Sequence, residues 1–276
     1  MKKMVNTRFI IAAIGIAILL PILIFSNTFI FPVAVSLILI FGIYELLINT
    51  KMFNQKIFSL ITVLYTASCP ILARWCGGLT AVAISTAVYV LLSITYSVFS
   101  GKTEILNRIY STAFLSCYIT SGLSSLVIIR DGYKGMLLTI TVFMIAWLTD
   151  TFAFFAGSAF GRHKLIPKIS PNKTVEGAIG GTLLTLIISL IVYVGIDLFS
   201  HNTPNYLPLI IMTFIASIMA QIGDLALSQV KRYYKIKDFS SILAEHGGFL
   251  DRFDSIIITA LVITIFLNTF PKVLMF

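Results

Sequence analysis

Residues 29–48 read FIFPVAVSLILIFGIYELLI, with Glu45 as the one charge. At 1.5 Å per residue, such a run crosses a hydrocarbon core about 30 Å thick as a helix. Runs of roughly 17 to 25 apolar residues also fall at 9–25, 57–73, 79–99, 109–129, 135–155, 178–199, 207–227 and 255–270, and none of these segments contains Lys or Arg. Composition agrees: of 276 residues, 58% are hydrophobic and 11% charged, against about 25% charged in ordinary globular chains. Mean hydropathy is +0.99. That balance excludes a soluble enzyme, a disordered tail and a fibrous repeat. The expected fold is all-α, a polytopic integral membrane protein of about nine transmembrane helices. The first run follows Lys2, Lys3 and Arg8 as a signal peptide would, but no small-residue cleavage site comes after it, so a retained helix is expected.

The net charge of +9 would point to nucleic acid in a soluble protein. Here most of the excess flanks apolar runs, where basic residues meet anionic headgroups, so the bilayer is the expected partner and nucleic acid is not. Basic residues also set orientation. With the N-terminus cytoplasmic, sixteen of the 20 Lys and Arg fall inside, leaving Arg74, Arg130, Lys134 and Lys272 outside. An integral cell-membrane protein results, with two long polar loops, 156–177 and 228–254, facing the cytoplasm. Long polar loops between tightly connected spans usually carry function. The chain therefore reads as a lipid-embedded scaffold, 1–134, followed by a catalytic region, 135–276. Cys69, Cys76 and Cys117 are odd in number and lack a metal-ligand spacing, so they imply neither a disulfide framework nor zinc.

Acids inside the apolar runs cost free energy, and depth decides their meaning. Asp150 lies about 7.5 Å from the cytoplasmic end of its span. Asp224 sits near the inner end of the next-to-last span, and Asp251 and Asp254 immediately precede the last, which starts at the same face. Three acids from two spans can thus converge at one depth. Asp251 and Asp254, at i and i+3, share a face if the last helix starts early; the alternative has Asp254 as a helix cap and Asp224 reaching to the interface. Asp197 and Glu45 receive no role.

The second loop carries Ser228, Lys231-Arg232, Lys237-Asp238, Ser240, His246-Gly247-Gly248, Asp251-Arg252 and Asp254. At these spacings it closely resembles the signature of the phosphatidate cytidylyltransferases, or CDP-diacylglycerol synthases; Ala244 stands where the family usually has Pro or another turn residue. The first loop resembles that family's upstream motif through Asp150-Thr151, Ala153, Gly157, Gly161-Arg162, Lys164-Leu165, Pro167 and residues 170–177, SPNKTVEG, with Phe154 where many relatives have Tyr. The resemblance spans about the last 130 residues. It implies the reaction CTP + phosphatidate → CDP-diacylglycerol + pyrophosphate in phospholipid biosynthesis, with a divalent ion, Mg²⁺ or Mn²⁺ in its place, and a monovalent cation left open. A homodimer is also left open.

The residues support that chemistry independently. Bringing a polyanionic nucleotide beside an anionic lipid phosphate requires several cations, which Lys173, Lys231, Arg232, Lys237 and Arg252 supply. Gly247 and Gly248 allow backbone N–H groups close to a phosphate. Asp224, Asp251, Lys231 and His246 are the catalytic candidates, and Asp150, Asp224, Asp251 and Asp254 the metal candidates. His246 is open between general base, phosphate donor and turn residue; because a lipid phosphate is already an oxyanion, orientation or phosphate binding is favoured. Ser170 and Thr174 either bind substrate or cap the following helix. The rivals are a CTP-dependent lipid alcohol kinase, attacking the γ-phosphorus, and, from another class, an ion-coupled transporter, whose acids would lie nearer the midplane.

Overall fold

The computed structural model describes residues 29–200, 205–240 and 247–270. The first expected span, 9–25, and His246 lie outside the described residues. Each of the other eight expected spans forms a helix: α1 (Ile30–Asn49), α2 (Lys56–Trp75), α3 (Leu79–Ser100), α4 (Leu106–Asp131), α5 (Gly135–Phe160), α6 (Val175–Ser200), α7 (Tyr206–Tyr233) and α8 (Leu250–Thr269). Among the described residues, α1 to α7 are long and apolar enough to cross a membrane. α8, of 20 residues, opens with Asp251 in its first turn and is outside that set of seven.

Both long loops are shorter than the sequence expectation: α5 runs on to Phe160 and α6 starts at Val175, while α8 starts at Leu250, so Asp251, Arg252 and Asp254 stand on a helix. α7 continues through Tyr233, so Ser228, Lys231 and Arg232 stand on a helix and not in a loop. Lys and Arg are good helix formers and complement the negative end of the helix dipole, so a polar stretch extends the helix past the apolar run. Within the first loop, β1 (Lys164–Ile166) and β2 (Ser170–Thr174) form an antiparallel hairpin, pairing Lys164 with Thr174 and Ile166 with Ser170. Its turn is closed by Ile169 N–H donating to Ile166 O at 3.1 Å, with Pro167 at the turn position its fixed φ favours.

The chain divides into two compact units, Met1–Met136 with Tyr234–Phe253, and Leu137–Tyr233 with Asp254–Phe276. In the first, α2 packs on α1, α3 and α4, and α4 also contacts α1 and α3. Leu39, Ile43, Leu46, Phe58, Ile109 and Ile119 are buried there. Tyr65 and Tyr89 stack at 4.3 Å, with the Tyr89 hydroxyl 3.1 Å from Thr62 Oγ1. Leu60, Leu64, Ile84, Leu91 and Val98 point outward, as lipid-facing positions should.

In the second unit, α5 and α6 meet along small residues. A Cβ on Gly177 would come within 2.7 Å of Ala153 O and 3.0 Å of Gly157 Cα; one on Gly181 would lie 2.9 Å from Thr149 O. Only small side chains allow helices this close. Hydroxyls then bridge the helices: Thr149 Oγ1 lies 3.3 Å from Thr185 Oγ1 and 2.9 Å from Ser217 Oγ, and Gln221 Nε2 donates to Thr182 Oγ1 at 3.0 Å.

Candidate active site

Along α7, Gln221, Asp224, Ser228 and Lys231 recur at three- and four-residue steps and therefore share one face. Asp224 forms an ion pair with Lys173 of β2, accepts a hydrogen bond from Ser228 Oγ at 3.3 Å, and has Asp254 within hydrogen-bonding reach. Gly223 makes that approach feasible: a Cβ there would meet Ile258 Cγ2 at 2.5 Å and Asp254 O at 2.9 Å. Ser255 joins the remaining two acids, its N–H donating to Asp254 Oδ1 at 2.8 Å and its Oγ to Asp150 Oδ2 at 3.0 Å. Carboxylates from α5, α7 and α8 thus gather within the second unit.

Such a cluster is held apart by mutual repulsion unless positive charge balances it. Lys173 and Lys231 provide two cations; Lys231 is 8% exposed and acts electrostatically on both Asp224 and Asp254. Three carboxyl groups against two ammonium groups leave repulsion that a proton or a further cation can relieve. Among the described residues, no three His, Cys, Asp or Glu are already gathered around a single metal position. Mg²⁺ is usually held by one or two carboxylates plus substrate phosphates, so an oxygen-only cluster with negative excess suits it without a preformed cage.

The hairpin is fixed at both ends. Thr174 caps α6, its Oγ1 accepting from Gly177 N–H at 3.1 Å. Glu176 accepts from the backbone N–H of Arg162 and His163 at 3.1 and 3.2 Å and contacts His163 Nδ1 at 2.6 Å. Arg232 Nε donates to Ile169 O at 3.2 Å, tying the end of α7 to the hairpin turn. Ser170 opens β2, half-buried opposite Ile166.

The rest of the second signature belongs to the first unit. Asp251 Oδ2 accepts from Phe239 N–H at 2.8 Å and Gly248 N–H at 2.9 Å. Gly247 has a φ of 77°, a left-handed conformation that glycine adopts without Cβ strain. Gly248 faces a carboxylate: a Cβ there would lie 2.5 Å from Glu45 Oε2. Its N–H, read from sequence as available to a phosphate, donates to Asp251. Lys237 and Arg252 are exposed. Sequence reasoning missed Glu45, Glu176 and Gln221. A carboxylate inside an apolar run requires compensation, which was a signal for Glu45, but its partners lie 204 and 205 residues away and nothing local names them.

The profile of the Cytidylyltransferase family matches residues 6–270. The chain belongs to that family. It is 34% identical over 257 residues to a phosphatidate cytidylyltransferase of Staphylococcus haemolyticus strain JCSC1435, covering 91% of this chain and 94% of that one. Similarity to proteins of the same name extends to Bacillus subtilis strain 168, at 38% over 168 residues, 60% of this chain and 61% of that one. For Staphylococcus aureus strain COL the figure is 45% over 122 residues, 44% of this chain and 45% of that one. The chain is thus a nucleotidyltransferase built on membrane-spanning helices.

Proposed function

We propose that this chain forms CDP-diacylglycerol from CTP and phosphatidate. A phosphate oxygen of phosphatidate attacks the α-phosphorus of CTP, the bond from that phosphorus to the bridging oxygen breaks, and pyrophosphate leaves with the electron pair. The observation that carries the reading is the gathering of Asp150, Asp224 and Asp254 with Lys173 and Lys231. Such a group can hold phosphates and the positive charge they need at one place. Relatives of matching length bear the name of this activity.

One or two of Asp150, Asp224 and Asp254, together with substrate phosphates, would hold Mg²⁺, with Mn²⁺ as a substitute. When bound, the ion would offset charge on the triphosphate and on the departing pyrophosphate. Lys173 keeps Asp224 in place through its ion pair, and Lys231 presents a buried cation beside two carboxylates. Arg252 and Lys237, exposed in the first unit, carry the charge and donors that phosphates require. The two loops face the cytoplasm in this reading, where CTP enters, while the acyl chains stay in the bilayer.

The test is incubation of the purified full chain in detergent with labelled CTP, phosphatidate and Mg²⁺. Labelled CDP-diacylglycerol and pyrophosphate are expected. CDP with a phosphorylated lipid would instead indicate kinase chemistry, and no product from well-folded protein would end the proposal. Asp224→Asn should nearly abolish turnover across a Mg²⁺ and Mn²⁺ titration; an unchanged rate and metal dependence would remove the acid cluster from the mechanism.

A further inference from the structure

Glu45 is 1% exposed, in the apolar run of α1, and is occupied entirely with the second signature segment. Oε1 accepts from Ser240 Oγ at 2.5 Å and Phe249 N–H at 2.9 Å, and Oε2 accepts from Leu250 N–H at 3.0 Å. The two amides stand at the start of α8, where a helix presents N–H groups without intrahelical partners and the positive end of its dipole. A carboxylate from another helix therefore does what a local capping residue does elsewhere.

The neighbours of Glu45 on α1 reinforce the grip. Asn49, one turn on, donates from Nδ2 to Phe239 O at 2.7 Å and to Glu45 O at 2.8 Å. Phe41, one turn back, stacks on Phe249 with centroids 5.1 Å apart and planes 13° from parallel. Gly42 leaves room for Leu250, since a Cβ there would lie 2.9 Å from Leu250 Cδ2. Asp251 closes the segment from its own side through the Phe239 and Gly248 amides. One face of α1 is thus shaped to hold Phe239, Ser240 and Gly248 to Leu250, the residues flanking His246-Gly247 and Asp251-Arg252.

We infer that Glu45 is a positioning residue for cytidylyl transfer, fixing Ser240, Phe249 and Leu250 from α1; this rests on the functional reading above. The first helices then supply more than a lipid-embedded scaffold. A role in packing alone would be met by Gln, which matches Glu in size. It would not meet the hydrogen bonding, because one carboxylate oxygen would become an NH₂ facing donors that need an acceptor.

The test uses the full chain in detergent, with CTP and phosphatidate as probes and amide hydrogen exchange as a second readout. Glu45→Gln should lower kcat at least tenfold and speed exchange at Phe249 and Leu250 while leaving α2 and α3 unchanged. Glu45→Asp, which keeps both acceptors with a shorter reach, should recover part of the rate and, if Glu45→Gln does not fold, carries the same comparison. Wild-type activity with Glu45→Gln within twofold in kcat and unaltered exchange overturns the inference alone. A wild-type protein that makes no CDP-diacylglycerol overturns the functional reading instead.

Discussion

Lys173 shows how one side chain can carry two readings. Its position in the upstream motif suggested a phosphate ligand, and the structure places it on Asp224. The two roles are compatible, because an ammonium group has three donors and the cluster carries an excess of carboxylates. Lys173→Gln should leave Asp224 facing Asp254 and Asp150 with less compensation and lower kcat/KM by at least tenfold while the helices still insert. If the pair acts as a unit, Lys173→Gln/Asp224→Asn should lose far less than the product of the single losses. A coupling of roughly 0.5–3 kcal/mol is typical of residues in contact, and a strictly additive cycle would assign them independent roles. Arg252→Lys is the sharper probe of Arg252, since Lys keeps the charge but loses the planar bidentate fork. A fall in CTP affinity is expected, and wild-type kinetics would reduce Arg252 to an orienting charge.

At the scale of elements, the apolar runs were legible because length and hydropathy add along a sequence. Thr174 was legible only as an alternative, substrate ligand or cap, and its bond to Gly177 N–H supports the cap without addressing the other role. The hairpin was not legible, because neither Lys164–Ile166 nor Ser170–Thr174 alternates polar and apolar residues over enough length. The end of α7 was hidden for a related reason: basic residues both end an apolar run and extend a helix. The seam between α5 and α6 was visible as glycines but not as a contact. Gly177→Ala should now destabilise the protein by about 1–3 kcal/mol, the usual range for overpacking, because its Cβ would meet backbone atoms at Ala153 and Gly157. Gly195→Ala on the same helix has nothing within 4 Å of the added Cβ, so helix propensity should make it neutral or stabilising by up to about 1 kcal/mol. Thermal unfolding in detergent separates the two, and equal shifts would show that the seam is not close-packed.

For the whole molecule, charge distribution is the one global signal in the sequence, and it concerns the membrane more than the fold. With nine spans and the N-terminus inside, sixteen of 20 Lys and Arg would fall on one side, the asymmetry that orients polytopic chains, and on that reading the hairpin and the second loop should face the cytoplasm. Cys76 follows α2 as an exposed free thiol, on the side that holds Arg74, and serves as a built-in reporter for the opposite face. With Cys69 and Cys117 replaced by Ser, Cys76 should react with an impermeant maleimide added to intact cells. Lys168→Cys and Lys235→Cys, at exposed positions in a background also lacking Cys76, should react only after the membrane is opened. The comparison is internal because all three thiols are exposed and differ chiefly in the side they occupy. Labelling of both introduced thiols from outside, with Cys76 protected, would invert the topology and move CTP entry to the other face; labelling of one alone would mean that an odd number of crossings separates the two loops.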